Sequence, residues 1–351
     1  MNRLDGRMRA IRVHAREDVG SLACRDSTVP RMLAGDVLAR VHAAGVTANE
    51  LTWNSTFTHE DGSSRLPITP CFEFSGTVEA SSPDSSDFSP GDDVYGLLNF
   101  WRDGAAAEYV AVKAYDIALK PVSVDHVRAA ALPMSGLTAW QALFTHAKVQ
   151  AGDRVLIHGA AGAVGTIAVQ LARWCGAYVI GTASMECEAF LRDLGAAEVL
   201  DYRKVRFEEG IHRVDAVIDT IGGETLDRSW TVLGRDGALV TIAGDVDERR
   251  AARYGIRAVS MLVQPNREEL IQLARLVDSG ILRPIVDSTF PMGRARDAFE
   301  RVARGHNRGK TVLRAVEPNP AENRSSANEP STVSNGRAAR RHMGRVESEG
   351  K

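Results

Sequence analysis

Residues 154–183 read RVLIHGAAGAVGTIAVQLARWCGAYVIGTA, and no other stretch limits the fold as tightly. A run of strand length, Arg154 to His158, enters the turn Gly159-Ala160-Ala161-Gly162-Ala163-Val164-Gly165, and an amphipathic segment follows. Glycines let the backbone turn sharply and let another group approach the main chain without a Cβ in the way. The N–H groups at the start of the following helix, together with its dipole, favour an anion. In a strand–turn–helix–strand setting, such a turn is the place for a dinucleotide pyrophosphate. The spacing here is GxxGxxG rather than GxGxxG, and close helix–sheet packing without a ligand is the competing reading.

The surrounding sequence repeats the unit. "RVLIH", "YVIGTA", "EVLDY", "DAVIDT" and "ALVTIAG" are short apolar runs, and "VGTIAVQLARWC" and "CEAFLRDL" are amphipathic helices that stop at Gly176 and Gly195. This α/β alternation predicts a doubly wound parallel sheet with helices on both faces. The first third has another texture: "DVLARVHAAGV", "EFSGTVEA", "PGDDVYGL" and "AAAEYVAVKA" read as strands of a β-rich domain. From Val124, "DHVRAAALPMSGLTAWQALFTHA" has helical spacing broken by Pro133 and Gly136. After Gly280 the pieces "LRPIVDSTFPM" and "KTVLRAV" are strand-like again, around the helix "GRARDAFERVARG". Residues 317–351 are nearly free of large apolar side chains and are expected to form a disordered tail. A chain of 351 residues is long enough for two domains.

Charge and cysteines narrow the class. A net charge of -2 and 25% charged residues lack the basic excess of a nucleic-acid binder. Cys24, Cys71, Cys175 and Cys187 show no CxxC spacing, so neither a disulfide framework nor a zinc knuckle is expected, and a reducing cytosol is the simplest compartment. No apolar run has the length of a signal peptide or a bilayer span. The expectation is a soluble cytoplasmic protein that acts on a small molecule, with neither nucleic acid nor membrane as partner.

The second strand of the unit ends Ile180-Gly181-Thr182-Ala183-Ser184, with no acid at its tip. A carboxylate there would bind a ribose 2′-hydroxyl, as in NAD sites. Its absence removes repulsion against a 2′-phosphate, and Ser184 offers a donor, so NADP(H) is the expected cofactor. Glu186 and Glu188 weigh the other way.

"AAALPMSGLTAWQAL", "AGDRVLIHGAAGAVGTIAVQLA", "LGAAEVLDY", "VDAVIDTIGG" and the closing "RGKTVL" together resemble the medium-chain dehydrogenase/reductases, most closely the zinc-independent quinone oxidoreductase branch that includes zeta-crystallin. The likeness runs in order over about residues 8 to 316. It implies a GroES-like β-rich domain over 8–125, completed by 281–316, and a Rossmann NADP(H)-binding domain over 126–280, with the active site between them and a homodimer as the usual assembly. The resemblance puts Thr138 at the nicotinamide ribose and Ala161 to Val164 at the pyrophosphate, between Gly159 and Gly165 and including Gly162 and Ala163. Ser184 and Tyr202 then flank the 2′-phosphate or adenosine, and Gly244 ends a strand beside the nicotinamide. Where similar enzymes place a lysine on the 2′-phosphate, this chain has Cys187. Arg203 is a candidate substitute, with a solvated surface arginine as the equal alternative.

Zinc-dependent relatives of the same superfamily carry a Cys after "GV" and a His in "GHE". Here Thr47 and Phe72 stand at those places, and phenylalanine cannot bind a metal. Cys71 and Glu73 remain but make a poor site alone, so no metal is expected. Without a Lewis acid, a conjugated acceptor is the easier substrate, because hydride addition spreads charge onto one enolate or quinol oxygen. The expected activity is reduction of a quinone or an α,β-unsaturated carbonyl. A biosynthetic enoyl reductase and a non-catalytic NADPH-binding protein are the alternatives. Thr47, Asn49 and Tyr95 are the catalytic candidates, with no one of them singled out, and for Tyr95 a buried hydroxyl that only satisfies a hydrogen bond is the favoured reading. Trp53, Phe57 and Trp101 are candidates for a flat aromatic pocket, with ordinary packing beneath a loop as the equal alternative for Trp53 and Trp101. His158, at the end of a buried strand, is expected to pack rather than to act as a general acid.

Overall fold

The computed structural model describes residues 6–315, apart from 17, 18, 48, 60, 86 and 212; the tail expected over 317–351 lies outside the described residues. Seven strands come before the helical region: β1 (Arg7–Arg12), β2 (Ala23–Thr28), β3 (Asp36–Val46), β4 (Glu73–Ser81), β5 (Asp93–Leu97), β6 (Tyr109–Lys113) and β7 (Ile117–Leu119). Six follow it: β8 (Arg154–His158), β9 (Tyr178–Ala183), β10 (Glu198–Asp201), β11 (Val214–Asp219), β12 (Leu233–Thr241) and β13 (Arg257–Ser260). The last two are β14 (Val286–Pro291) and β15 (Lys310–Arg314).

The six middle strands form one parallel sheet in the order β10-β9-β8-β11-β12-β13. The chain winds outward from β8 in both directions, so the carboxyl end of β8 lies at the switch in strand order, where open α/β sheets hold their ligands. Alternate side chains feed two cores. Val155, Ile157, Val179, Ala216 and Ile218 pack into one with Ile167, Ala168 and Leu171 of the helix Ala163–Trp174. Leu156, Ile180, Val217 and Leu239 face the other, with Phe207, Leu226 and Trp230. Burial on both faces explains why these strands read as continuous apolar runs rather than alternating ones.

The other large sheet runs β14-β15-β3-β4-β5-β7, with β6 also paired to β3. It is antiparallel except between β14 and β15. The end of the described chain thus returns to its beginning: Thr311 lies opposite Val46 and Val312 opposite Gly45. On the other side of β3, Gly45 pairs with Glu73. These two registers bring Thr47, Glu73 and Lys310 together. β1 and β2 form a separate hairpin sheet, tied to the rest by bridges at Ala10–Ala107 and Val13–Ile68. Among the described residues no helix is long and apolar enough to cross a membrane.

Candidate functional site

A cleft of about 1120 Å³ opens at the carboxyl end of β8, lined from the parallel sheet on one side and from the ends of β3 and β15 on the other. The glycine turn forms its floor. Gly159 leaves β8 at φ +69, and a Cβ there would collide with Thr220 Oγ1 and come within 3.0 Å of Ile221 Cδ1. The Gly162 N–H donates to Gly159 O (2.9 Å). A Cβ on Gly165 would overlap Gly159 O and reach 2.7 Å from Ala160 Cα. The turn is therefore folded against its own backbone, with no space for side chains. The first bond of the following helix is Thr166 N–H to Gly162 O (2.9 Å), which leaves the N–H groups of Ala163, Val164 and Gly165 without intrahelical acceptors. Ala161, Gly162, Ala163 and Val164 face the cleft. This cradle suits a pyrophosphate in both size and sign.

At one end of the cleft lie Ser184 and Tyr202, together with Cys187. The Cys187 thiol is buried and sits 3.7 Å from Ser184 Oγ. Two arginines converge here. Arg203 reaches the Glu186 carboxylate (3.5 Å), and Arg308, from the loop before β15, donates to Glu186 O (2.8 Å). The same loop crosses the glycine turn, where the Gly309 N–H donates to Ala161 O (3.0 Å). Arg308 was not legible in the sequence, because only the return of β15 to β3 carries it across the cleft.

His158 is fixed by its neighbours. Ser229 Oγ donates to Thr225 O (2.7 Å), so Nε2–H of the ring must donate to Ser229 (3.1 Å), and Nδ1 accepts from Thr182 Oγ1 (3.0 Å). Burial pushes its pKa down to about 3, helped by Arg228. A neutral ring with both nitrogens engaged packs the sheet and does not supply protons. The fully buried Asp219 accepts from the N–H groups of Ile221 and Gly222 and from Thr241 Oγ1 (2.8 Å), which locks the loop after β11 along the cleft.

The opposite end takes Thr47, Asn49 and Trp53 from the first sheet's side and Met134 and Ser135 from the helix Pro133–Trp140. Trp53 has Phe100 edge-on behind it (5.5 Å) and Phe72 at 6.3 Å. Phe72, at the place where zinc-dependent relatives carry a histidine, thus backs the aromatic wall. Phe57 and Trp101 do not line the cleft: Phe57 is buried under Arg16 (5.4 Å), and Trp101 is partly exposed on a turn held by Asn99. Tyr95 takes the hydrogen-bonded, buried role rather than that of a proton donor. Four of the five residues of β5 are buried, and Tyr95 points away from the cleft, its hydroxyl donating to Leu270 O (2.5 Å) with burial raising its pKa far above the usual phenol range. Thr138 donates to Met134 O within its own helix (2.6 Å), and Gly244 O accepts from Ser260 Oγ (2.7 Å); neither lines the cleft.

Behind Thr47 lies a buried charge cluster missed in the sequence, where "RGKTVL" reads simply as a turn and strand. Lys310, 3% exposed, ion-pairs with Glu73 Oε1 and donates to Thr47 Oγ1 (2.8 Å). Glu73 Oε2 accepts from the Met134 N–H (2.9 Å). Glu50, fully buried beside them, accepts from the Cys71 N–H (3.3 Å) through one oxygen and has no partner on the other among the described residues. Burial pushes Glu50 up to about 8, with Lys310 pulling it down and Glu73 adding to the rise. One ammonium faces two carboxyls: burial raises Glu73 as well, the Lys310 ammonium in contact with it favours its charged form, and Glu50, one contact removed, keeps its proton. This donor set does not suit zinc. Glu73 is already paired with a cation, burial holds the Cys71 thiol far above its usual range, and among the described residues no three His, Cys, Asp or Glu side chains are arranged to hold a metal ion.

Comparison with known proteins places this arrangement. Residues 33–122 match the alcohol dehydrogenase GroES-like domain family, and residues 194–313 match a family described as zinc-binding dehydrogenase. The chain is 31% identical to a probable zinc-binding oxidoreductase, mitochondrial, of Arthroderma benhamiae, over 84% of this chain and 93% of that one. The belonging is shown by that relative. The chain is a member of the medium-chain dehydrogenase/reductase superfamily. It is equally 31% identical to human NAD(P)H oxidoreductase RTN4IP1, mitochondrial, over 80% of this chain and 82% of that one. The solved quinone oxidoreductase of Coxiella burnetii superposes with a TM-score of 0.81 at 34% identity, covering 88% of this chain and all of its own. As a superfamily member with quinone oxidoreductases among its relatives, the chain is an oxidoreductase built from a GroES-like domain and a Rossmann-type parallel-sheet domain, and it uses a nicotinamide nucleotide.

Proposed function

We infer that this protein is a metal-free, NADPH-dependent reductase of quinones or α,β-unsaturated carbonyls. The observation that carries the reading is the cleft itself. It joins an anion cradle at the glycine turn to an aromatic wall at Trp53, and of the two places where zinc-dependent relatives carry ligands, one holds Thr47 on the cleft and the other Phe72 behind Trp53. When bound, the nicotinamide nucleotide supplies hydride. The glycine turn would fix its pyrophosphate, and the locked loop Thr220–Gly222 would limit where the ring can lie. Trp53 gives a planar acceptor a surface to lie against and excludes water from one face. With no Lewis acid to take charge from an isolated carbonyl, a conjugated acceptor is favoured, and the one proton that follows the hydride comes from solvent.

The test is nucleotide oxidation at ~340 nm, the absorption band of the reduced nicotinamide, with 9,10-phenanthrenequinone, 1,4-benzoquinone and short enones, with and without chelator. Chelator-insensitive turnover with NADPH is expected. Loss of activity on metal removal, or turnover of simple alcohols alone, would sink the reading.

The preference for NADPH rests on Ser184, Arg203 and Arg308 around the site of the missing lysine. Replacing either arginine by alanine should raise KM for NADPH about tenfold, the loss of one charge-assisted contact, and leave KM for NADH unchanged. Equal effects on both nucleotides would show that neither arginine meets the 2′-phosphate.

A further inference from the structure

Resting on the hydride-transfer reading above, we propose that Thr47 and Ser135 are the two hydroxyl donors for the substrate oxygen that becomes an enolate or quinol oxyanion, and that Lys310, braced by Glu73, positions Thr47 for that contact. The ligand class is a conjugated carbonyl with one acceptor oxygen directed at this end of the cleft.

The argument begins with direction. An ammonium has donors only, so Lys310 occupies a lone pair of Thr47 Oγ1 at 2.8 Å. The Thr47 hydrogen is then left to donate elsewhere, and Thr47 lines the cleft. A cation bonded to its oxygen also makes that O–H a stronger donor. Ser135 provides the second donor. Its side chain is fully buried, its Oγ has no partner among the described residues, and it lines the same cleft. A buried hydroxyl left unpaired is unfavourable, so its presence calls for a group that completes it.

Both donors are set by one carboxylate. Glu73 holds Lys310 with one oxygen and the N–H of Met134, the residue before Ser135, with the other. Gly45 makes this geometry available: a Cβ there would occupy the place of the Glu73 carboxylate. A buried ion pair is a weak source of stability, since two apolar residues of similar volume commonly do as well or better. Its oriented donors give it a chemical use.

In the step itself, hydride adds to the β-carbon, the C=C electron pair shifts toward the carbonyl carbon, and the C=O π pair moves onto oxygen. That oxygen gains the two O–H···O⁻ bonds and no bond forms to the protein. These donors are worth most where charge develops.

The experiment uses the full chain loaded with NADP⁺ and 4-nitrophenolate, a planar oxyanion, at a pH where the free probe is ionised. The wild type should bind it with a shifted visible band. Thr47→Val should weaken binding and abolish the shift, Thr47→Ser should restore both, and Ser135→Ala should weaken binding about tenfold. The double variant Lys310→Met/Glu73→Gln, which removes both charges together, should behave like Thr47→Val while NADP⁺ affinity stays within about threefold. For the best acceptor, kcat of Thr47→Val should fall about 10²-fold. An unshifted or unbound probe in the wild type overturns the proposal, as do Thr47→Val and Ser135→Ala variants that match the wild type. If the probe responds as expected but no quinone or enone is reduced, the hydride reading fails and the oxyanion site stands. If acceptors are reduced equally well by Thr47→Val, the reverse holds.

Discussion

Replacing Glu50 by glutamine is expected to stabilise the protein by about 2 kcal/mol at neutral pH, with the gain growing toward pH 8 and nearly vanishing below pH 4.5. The sign follows from proton linkage. Burial raises the folded carboxyl to about 8 from an ordinary 4.5, so between these values the folded state binds a proton that the unfolded state has released. Stability therefore falls as pH rises through that window and is level above it. At pH 7 the full linkage is about 3 kcal/mol, which relaxation of the surroundings reduces. Glutamine is close in shape, keeps the oxygen that accepts from the Cys71 N–H, and does not titrate. Urea unfolding of wild type and Glu50→Gln at pH 5, 7 and 9 reads this directly. A variant less stable at every pH would mean that Glu50 is charged and that Lys310 divides its attraction between two carboxylates.

That prediction depends on a cluster the sequence did not reveal, for a reason of chain separation. Thr47 and Lys310 are 263 positions apart, and Glu73 and Met134 are 61 apart. Each looks ordinary in its own window: a polar residue after a strand, a lysine at the start of one, an acid in an apolar run. Only the registers of β15 and β4 on β3 bring them into contact, and pairing partners are not encoded locally. Tyr95 is the opposite case. A tyrosine inside a strand favours a satisfied hydrogen bond over a proton-donor role, and β5 is buried nearly throughout, with the hydroxyl on a backbone carbonyl 175 positions away. The glycine turn was legible because its glycines and the helix that follows lie within one short window, although Thr182, Thr220 and Gly309, which hold and crowd it, come from elsewhere in the chain. The parallel sheet was legible from its alternating runs, and its strand order was not, since pairing partners are not written in the runs.

Gly165→Ala is expected to raise the Kd for NADPH about 100-fold, although local preferences favour the change. Gly165 lies in the first turn of the helix Ala163–Trp174 and has no positive φ, so alanine gains up to about 1 kcal/mol in helix propensity. Sterics oppose this and win. The new Cβ would meet Gly159 O, Ala160 C and Ala160 Cα, all backbone atoms of the same turn, and none can rotate away as a side chain would. Overpacking of this kind costs about 1–3 kcal/mol in the folded state. The turn is held at its other end by the Thr182 O and Gly309 N–H bonds, so it can relieve the overlap only by moving the N–H groups of Ala163 and Val164. A shift of about 1 Å in positioning groups is enough for a loss of order 10²-fold. Gly293→Ala is the control, because nothing lies within 4 Å of a Cβ there. Fluorescence titration of NADPH should separate the two variants by about two orders of magnitude. A Gly165→Ala protein that binds within threefold of wild type would show that the turn packs the helix onto the sheet without holding the pyrophosphate.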